Sequence, residues 1–267
     1  MSRIDETFAR LKESRQGGLI PFVMAGDPDL ETTELLLIEL AKRGADIIEV
    51  GVPFSDPVAD GKVIQRASER ALKKGATLSD TLLCISHARE RIDVPIVLFS
   101  YFNPILKFGL DRLADEAKQA GVDAVLITDL VPEEAEPWMT AFRNRRMDFI
   151  FLIAPTTSDE RLALIARRAC GFIYAVSRTG VTGERNEMPH DAEPLVKRVR
   201  AVSDLPVAVG FGISTQEQVR QVWRFADAAV IGSAIVRQIE ELDGTPDLVS
   251  RVGEFARSFF KSRVVDQ

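Results

Sequence analysis

The chain has 267 residues, 46% of them apolar, and a formal net charge of −6. This length suits a single domain spanning residues 1–267, since an α/β barrel typically needs roughly 250 residues. The acidic balance excludes nucleic-acid binding as the main business.

Two cysteines, Cys84 and Cys170, lack metal-ligand spacing and read as buried thiols in a reducing compartment. The N-terminal stretch MSRIDETFARLKESRQ is charged throughout, and no apolar run approaches the ~20 residues of a membrane span. A cytoplasmic protein without membrane or nucleic-acid partners is expected.

In chain order, short β-branched runs alternate with amphipathic stretches. Residues 4–16 predict a helix with Ile4, Phe8 and Leu11 on one face, placed as a lid on the bottom of a barrel. A strand over 19–24 and a helix over 30–43 follow, the latter stopped by Gly44. The stretch IIEVGVPFSDPVADG, residues 47–61, then supplies a strand with an interior Glu49 and a loop ending at Asp60-Gly61. Helices over 63–74 and 78–92 lead to a strand over 96–100 and an aromatic loop, Tyr101-Phe102-Asn103-Pro104. A helix over 110–120 precedes a strand over 124–127, and Pro132 is read as the start of a helix over 133–146.

A strand over 149–153, a helix over 159–169 capped by Ser158, and a strand over 172–176 come next. The longest section without an obvious element is 177–189, a loop of functional length. A helix over 192–202, a strand over 207–209, a helix over 216–225, a strand over 228–231 and helices over 234–240 and 248–260 complete the chain. The alternation predicts parallel strands with right-handed crossovers, either a closed (β/α)₈ barrel or an open doubly wound sheet. No Gly-x-Gly-x-x-Gly turn follows the first strand, which weakens the dinucleotide-binding alternative.

The chemistry converges on the loops after the strands. Glu49, flanked by Ile48 and Val50, faces either a packed interior, where its charge needs a partner, or a cavity. Asp60 reads both as a second acid/base group and as the N-cap of the next helix. The glycine loops Gly210-Phe211-Gly212 and Gly232-Ser233 lie after the seventh and eighth strands, where barrels hold phosphate, with Gly183 in the long preceding loop. Alone, such a loop is more often a tight turn than an anion site; two at consecutive strand ends favour the anion site. Tyr174 either fills the barrel or meets a polar ligand, and Phe22, Phe99, Leu126 and Phe211 line an apolar pocket or are plain core. Asp129 serves a ligand or caps the next helix. His87 and His190 read as surface or cap residues, and the cluster Arg143-Arg145-Arg146 as a solvated helix end.

The segments PFVMAGDP, IIEVGVPFSDPVADG, IQRASERAL, YFNPI, VSRTGVTGE, GFGIS and GSAIV, in this order, closely resemble the tryptophan synthase alpha subunit family over residues 8–259. The resemblance implies a TIM barrel that cleaves indole-3-glycerol phosphate to indole and glyceraldehyde 3-phosphate. It implies Glu49 and Asp60 as catalytic acids with Tyr174 beside them, and Phe22, Phe99, Leu126 and Phe211 around the indole ring. It further implies Gly183, Gly212, Gly232 and Ser233 at the phosphate, and Thr182 closing toward Asp60. No metal or cofactor is implied in this chain; pyridoxal phosphate is expected in a partner beta subunit, within an alpha-beta-beta-alpha tetramer. Lys62 stands where the family usually has proline, and Val131 lies in a segment that is often proline-rich, departures that bear on loop dynamics. A free-standing lyase and a non-catalytic regulatory barrel remain the alternative readings.

Overall fold

In a computed structural model describing residues 1–176, 191–210 and 212–259, the apolar runs close into a barrel. Its strands are β1 (Gly18–Met24), β2 (Ile48–Gly51), β3 (Ile96–Ser100), β4 (Ala124–Ile127), β5 (Asp148–Ile153), β6 (Ile173–Val176), β7 (Val207–Gly210) and β8 (Ala228–Ile231). All are parallel, they pair in chain order, and β8 returns to β1, so the open-sheet alternative falls away. The strands are buried on both faces because inward side chains fill the barrel and outward ones meet helices. Ile20, Ile47, Val97, Leu126, Ile150 and Phe172 make up much of the filling.

Around the barrel run α1 (Arg3–Glu13), α2 (Leu30–Lys42), α3 (Lys62–Lys73), α4 (Leu78–Arg89), α5 (Phe102–Phe108), α6 (Leu110–Ala120), α7 (Glu136–Asn144), α8 (Asp159–Arg168), α9 (Ala192–Arg200), α10 (Gln216–Trp223), α11 (Ser233–Leu242) and α12 (Leu248–Phe259). Their starts are set locally. Reciprocal Ser2/Asp5, Thr77/Asp80 and Thr215/Gln218 capping boxes open α1, α4 and α10, and the Ser158 side chain accepts from Arg161 N–H at the start of α8. Each such cap contributes about 1 kcal/mol. No described helix is long and apolar enough to cross a membrane.

α1 is the expected lid. Ile4, Phe8 and Leu11 join the interior cluster, with the Phe8 and Phe172 rings 5.8 Å apart. Beneath it, carboxylates stand at the entries to the strands. Asp46, Asp123 and Asp227, ahead of β2, β4 and β8, accept the backbone N–H of Leu19, Ile96 and Val207 on the preceding strands at 2.9, 2.9 and 2.8 Å. Arg10, Arg89 with Arg3, and Arg200 pair with their other oxygens or share them.

Three local readings change. The aromatic stretch after β3 is not a loop: residues from Phe102 form α5, with Pro104 in its first turn, where a missing N–H costs little. Pro132 does not open α7. Residues 132–134 are a turn, α7 begins at Glu136, and Pro137 takes the early helical position. Asp60 is not an N-cap; Gly61 holds that position in α3, without a side-chain cap.

Candidate active site

Glu49 lies on β2 between Phe22 of β1 and Val97 of β3 and is 1% exposed. Its Oε1 is the one buried side-chain polar atom among the described residues that has no hydrogen-bond partner. Burial pushes this carboxyl up to about 8, because a charged form without solvent or partner is costly. Of the two readings of Glu49, the geometry selects the cavity. Next to it, a Cβ at Gly51 would come within 2.5 Å of the Phe22 ring, so the strand end is glycine where that ring must pass.

Asp60 is half-buried at the end of a loop held at two points. Ser68 Oγ, on α3, accepts the Phe54 N–H at 2.7 Å and donates back to the Phe54 carbonyl at 2.8 Å. Tyr101 Oη accepts the Ala59 N–H at 3.0 Å and lies beside the Asp60 carboxyl. Burial pushes Asp60 up to about 6, and the Tyr101 hydrogen bond works against that rise. The hydroxyl of Tyr174 on β6 is held protonated by burial first and then by negative charge at Glu49 and Asp60. Gly210 on the adjacent β7 makes room for it: a Cβ there would lie 2.2 Å from Tyr174 Oη.

These groups share a cavity of about 60 Å³ with Phe22, Ile64, Phe99, Gly212, Val230, Gly232 and Ser233. Phe22 and Phe99 meet edge to face, centroids 5.5 Å apart. Gly212 has φ +77°, a left-handed conformation that favours glycine. Gly232 is the N-cap of α11, which has no side-chain cap, so the positive end of the helix faces the cavity with its N–H groups available.

The structure therefore brings together Glu49, Asp60, Tyr174, Phe22, Phe99, Gly212, Gly232 and Ser233. Leu126 is fully buried in the barrel filling and does not line the cavity. Thr182, Gly183 and Phe211 lie outside the described residues, as does His190. Ile64 and Val230 join the lining without having been singled out; their apolar faces at a strand end and a helix start were the available signal. Asp129 neither faces the cavity nor caps the helix after its own strand. It accepts the N–H of Phe102 at 2.7 Å and so caps α5. His87 is an exposed helix residue, as expected, with its Nδ1 3.3 Å from Glu34. Arg145 is engaged too, with Asp115 at 2.6 Å.

Two segments that frame the cavity are tied behind it. Arg66 and Arg70 of α3 both bind Glu240 of α11, at 2.6 to 2.7 Å. Arg70 also holds Asp27, after β1, through two bonds of 2.7 and 2.8 Å. The Glu240 carboxyl is held down at about 2 by its hydrogen bonds to Arg66 and the charge of Arg70. At the opposite end of the barrel, α1, α9 and α10 border a cleft of about 730 Å³. Its charges largely offset one another, with Lys197 on Glu193 and Arg200 on Asp227.

Fold and cavity define the class: an enzyme of the (β/α)₈-barrel type, with a carboxyl-lined cavity toward the strands' C-terminal ends. Among described residues no group of three or more His, Cys, Asp or Glu is placed to hold a metal ion. The family profile described as tryptophan synthase alpha chain matches residues 8–264, and the chain belongs to that family. It is 51% identical over 255 residues to the tryptophan synthase alpha chain of Citrifermentans bemidjiense, covering 96% of this chain and 95% of that one. It is 48% identical over 257 residues to that of Solibacter usitatus, covering 96% of each. Among solved structures, the alpha chain from Legionella pneumophila superposes with a TM-score of 0.88 at 37% identity, covering 97% of this chain and 96% of that one. A tryptophan synthase structure from Mycobacterium tuberculosis gives 0.87 at 39%, covering 97% and 98%.

Proposed function

We propose that this barrel, acting as one domain over residues 1–267, cleaves indole-3-glycerol phosphate to indole and glyceraldehyde 3-phosphate. The observation that carries the reading is Glu49, a fully buried carboxyl with an unpartnered oxygen and a pKa near neutrality. Cleavage is a retro-aldol reaction. A proton is added to indole C3, the hydroxyl on the adjoining carbon loses one, and the C–C electron pair returns to the indole ring as the aldehyde forms. Protonated Glu49 is suited to deliver the first proton and, once ionised, to take up the second. Asp60, ionised above about pH 6, balances the positive charge that develops at the indole N–H. Phe22 and Phe99 offer the indole ring apolar faces, and the N-terminus of α11 with Gly212 and Gly232 suits the phosphate.

The C-terminal rim supports a partner. Val58, Leu106 and Val131, 78%, 55% and 40% exposed, all follow barrel strands on that face. This apolar rim next to the Asp60 loop suits docking of a beta subunit carrying pyridoxal phosphate, in an alpha-beta-beta-alpha assembly that receives the indole. Lys62 is the first residue of α3, a position that accepts proline, so its effect falls on the stiffness of the Asp60 loop.

The test is indole release from indole-3-glycerol phosphate by the purified chain, with and without a beta subunit. Slow release accelerated by the beta subunit is expected. Full-rate release with no response to a beta subunit would make the chain a free-standing lyase, and no release under either condition would overturn the reading.

A further inference from the structure

We propose that Tyr101 is the positioning residue for Asp60: its single hydroxyl fixes both the backbone leading to Asp60 and the Asp60 carboxylate itself. This deepens the lyase reading and rests on it. The hydroxyl can accept one bond and donate one. It accepts from Ala59 N–H at 3.0 Å, which leaves its proton for the Asp60 carboxyl. The ring is 3% exposed and stacks on Phe54 of the same loop, centroids 5.3 Å apart.

The anchor itself is rigid. Tyr101 directly follows β3 and is the N-cap of α5, whose first N–H is held by Asp129. Its carbonyl accepts from Ser100 Oγ at 3.1 Å. The loop is thereby referenced to the barrel wall at the residue next to the acid and at the acid itself. The other titratable groups facing Asp60 are Glu49 and Tyr174, across the cavity. Burial raises Asp60, and the Tyr101 hydroxyl is the group that opposes that rise.

Tyr101→Phe keeps the ring and removes both hydrogen bonds. Loss of a bond to a charged group predicts a fall in kcat of about tenfold to a hundredfold, with KM little changed. The acid limb of the kcat profile, set by Asp60, should move to higher pH, which a purely structural role would not produce. An unchanged melting midpoint would confirm that the variant is folded. Carbon-13 NMR of the carboxyl groups, with Asp60→Asn assigning the signal, reads the same shift without turnover, so Tyr101 can be judged even if the wild-type chain releases no indole. Wild-type kcat and an unmoved Asp60 titration in Tyr101→Phe would overturn the proposal.

Discussion

The carboxylates at the two ends of the barrel are built on opposite terms. At the bottom, Asp46, Asp123 and Asp227 each accept a backbone N–H from a neighbouring strand and an arginine bond besides. At the top, Glu49 is more completely buried than any of them yet has an oxygen without a hydrogen-bond partner. The bottom acids lock strand register and leave no capacity for chemistry. The top acid costs stability and holds its proton near neutral pH, the arrangement expected of a group that must exchange it.

Breaking each end should give opposite results. The largest effect is expected from Glu49→Gln and Asp60→Asn, which keep shape but cannot exchange or balance charge. Each should lower turnover by roughly 10²- to 10⁴-fold while the substrate still binds, measured by steady-state indole release and by calorimetry with glycerol 3-phosphate. Turnover near wild type in either would end the assignment of that residue.

Next comes Asp123→Ala, which strips the carboxylate from half-buried Arg89, leaving it only backbone carbonyls, and the acceptor from the Ile96 N–H. It should cost about 3–5 kcal/mol in urea unfolding, with turnover per folded molecule unchanged. A loss below 1 kcal/mol would mean the bottom pairs contribute little.

The smallest and most discriminating effect is on stability against pH. The Glu49 carboxyl titrates near 4.5 in the unfolded chain and near 8 in the fold, so the folded state binds its proton more tightly. The stability this group contributes is complete below pH 4.5 and declines as pH rises to about 8. Glu49→Gln should therefore equal wild type near pH 4 and exceed it at pH 8 by an amount on the order of a few kcal/mol. Equal unfolding midpoints at both pH values would show that Glu49 is not so confined.

Glu49 was legible in the sequence because an acid inside an apolar strand has few explanations, and Gly212, Gly232 and Ser233 because glycine pairs recur at consecutive strand ends. The closed barrel followed from the alternation and was specified by the family segments. What stayed hidden depends on partners distant in sequence. Asp60 matches a capping pattern, but its carboxyl lies beside the hydroxyl of Tyr101, the residue after β3 and some forty positions on. α5 is short, aromatic and contains a proline, and its cap comes from Asp129 rather than from a residue beside it. The bottom acids did leave a signal: Gly-Ala-Asp, Gly-Val-Asp and Phe-Ala-Asp precede β2, β4 and β8, a recurrence visible without any structure.

The bonds from Arg66 and Arg70 to Glu240 act as a ruler. α3 begins two residues after Asp60 and α11 directly after Gly232, so joining the two helices sets the span between those two sides of the cavity. Two guanidinium groups on one carboxylate fix that span more firmly than loops could. A molecule must then match it in length. An analogue one carbon shorter or longer between ring and phosphate would reach one end at the expense of the other, whatever its chemical reactivity.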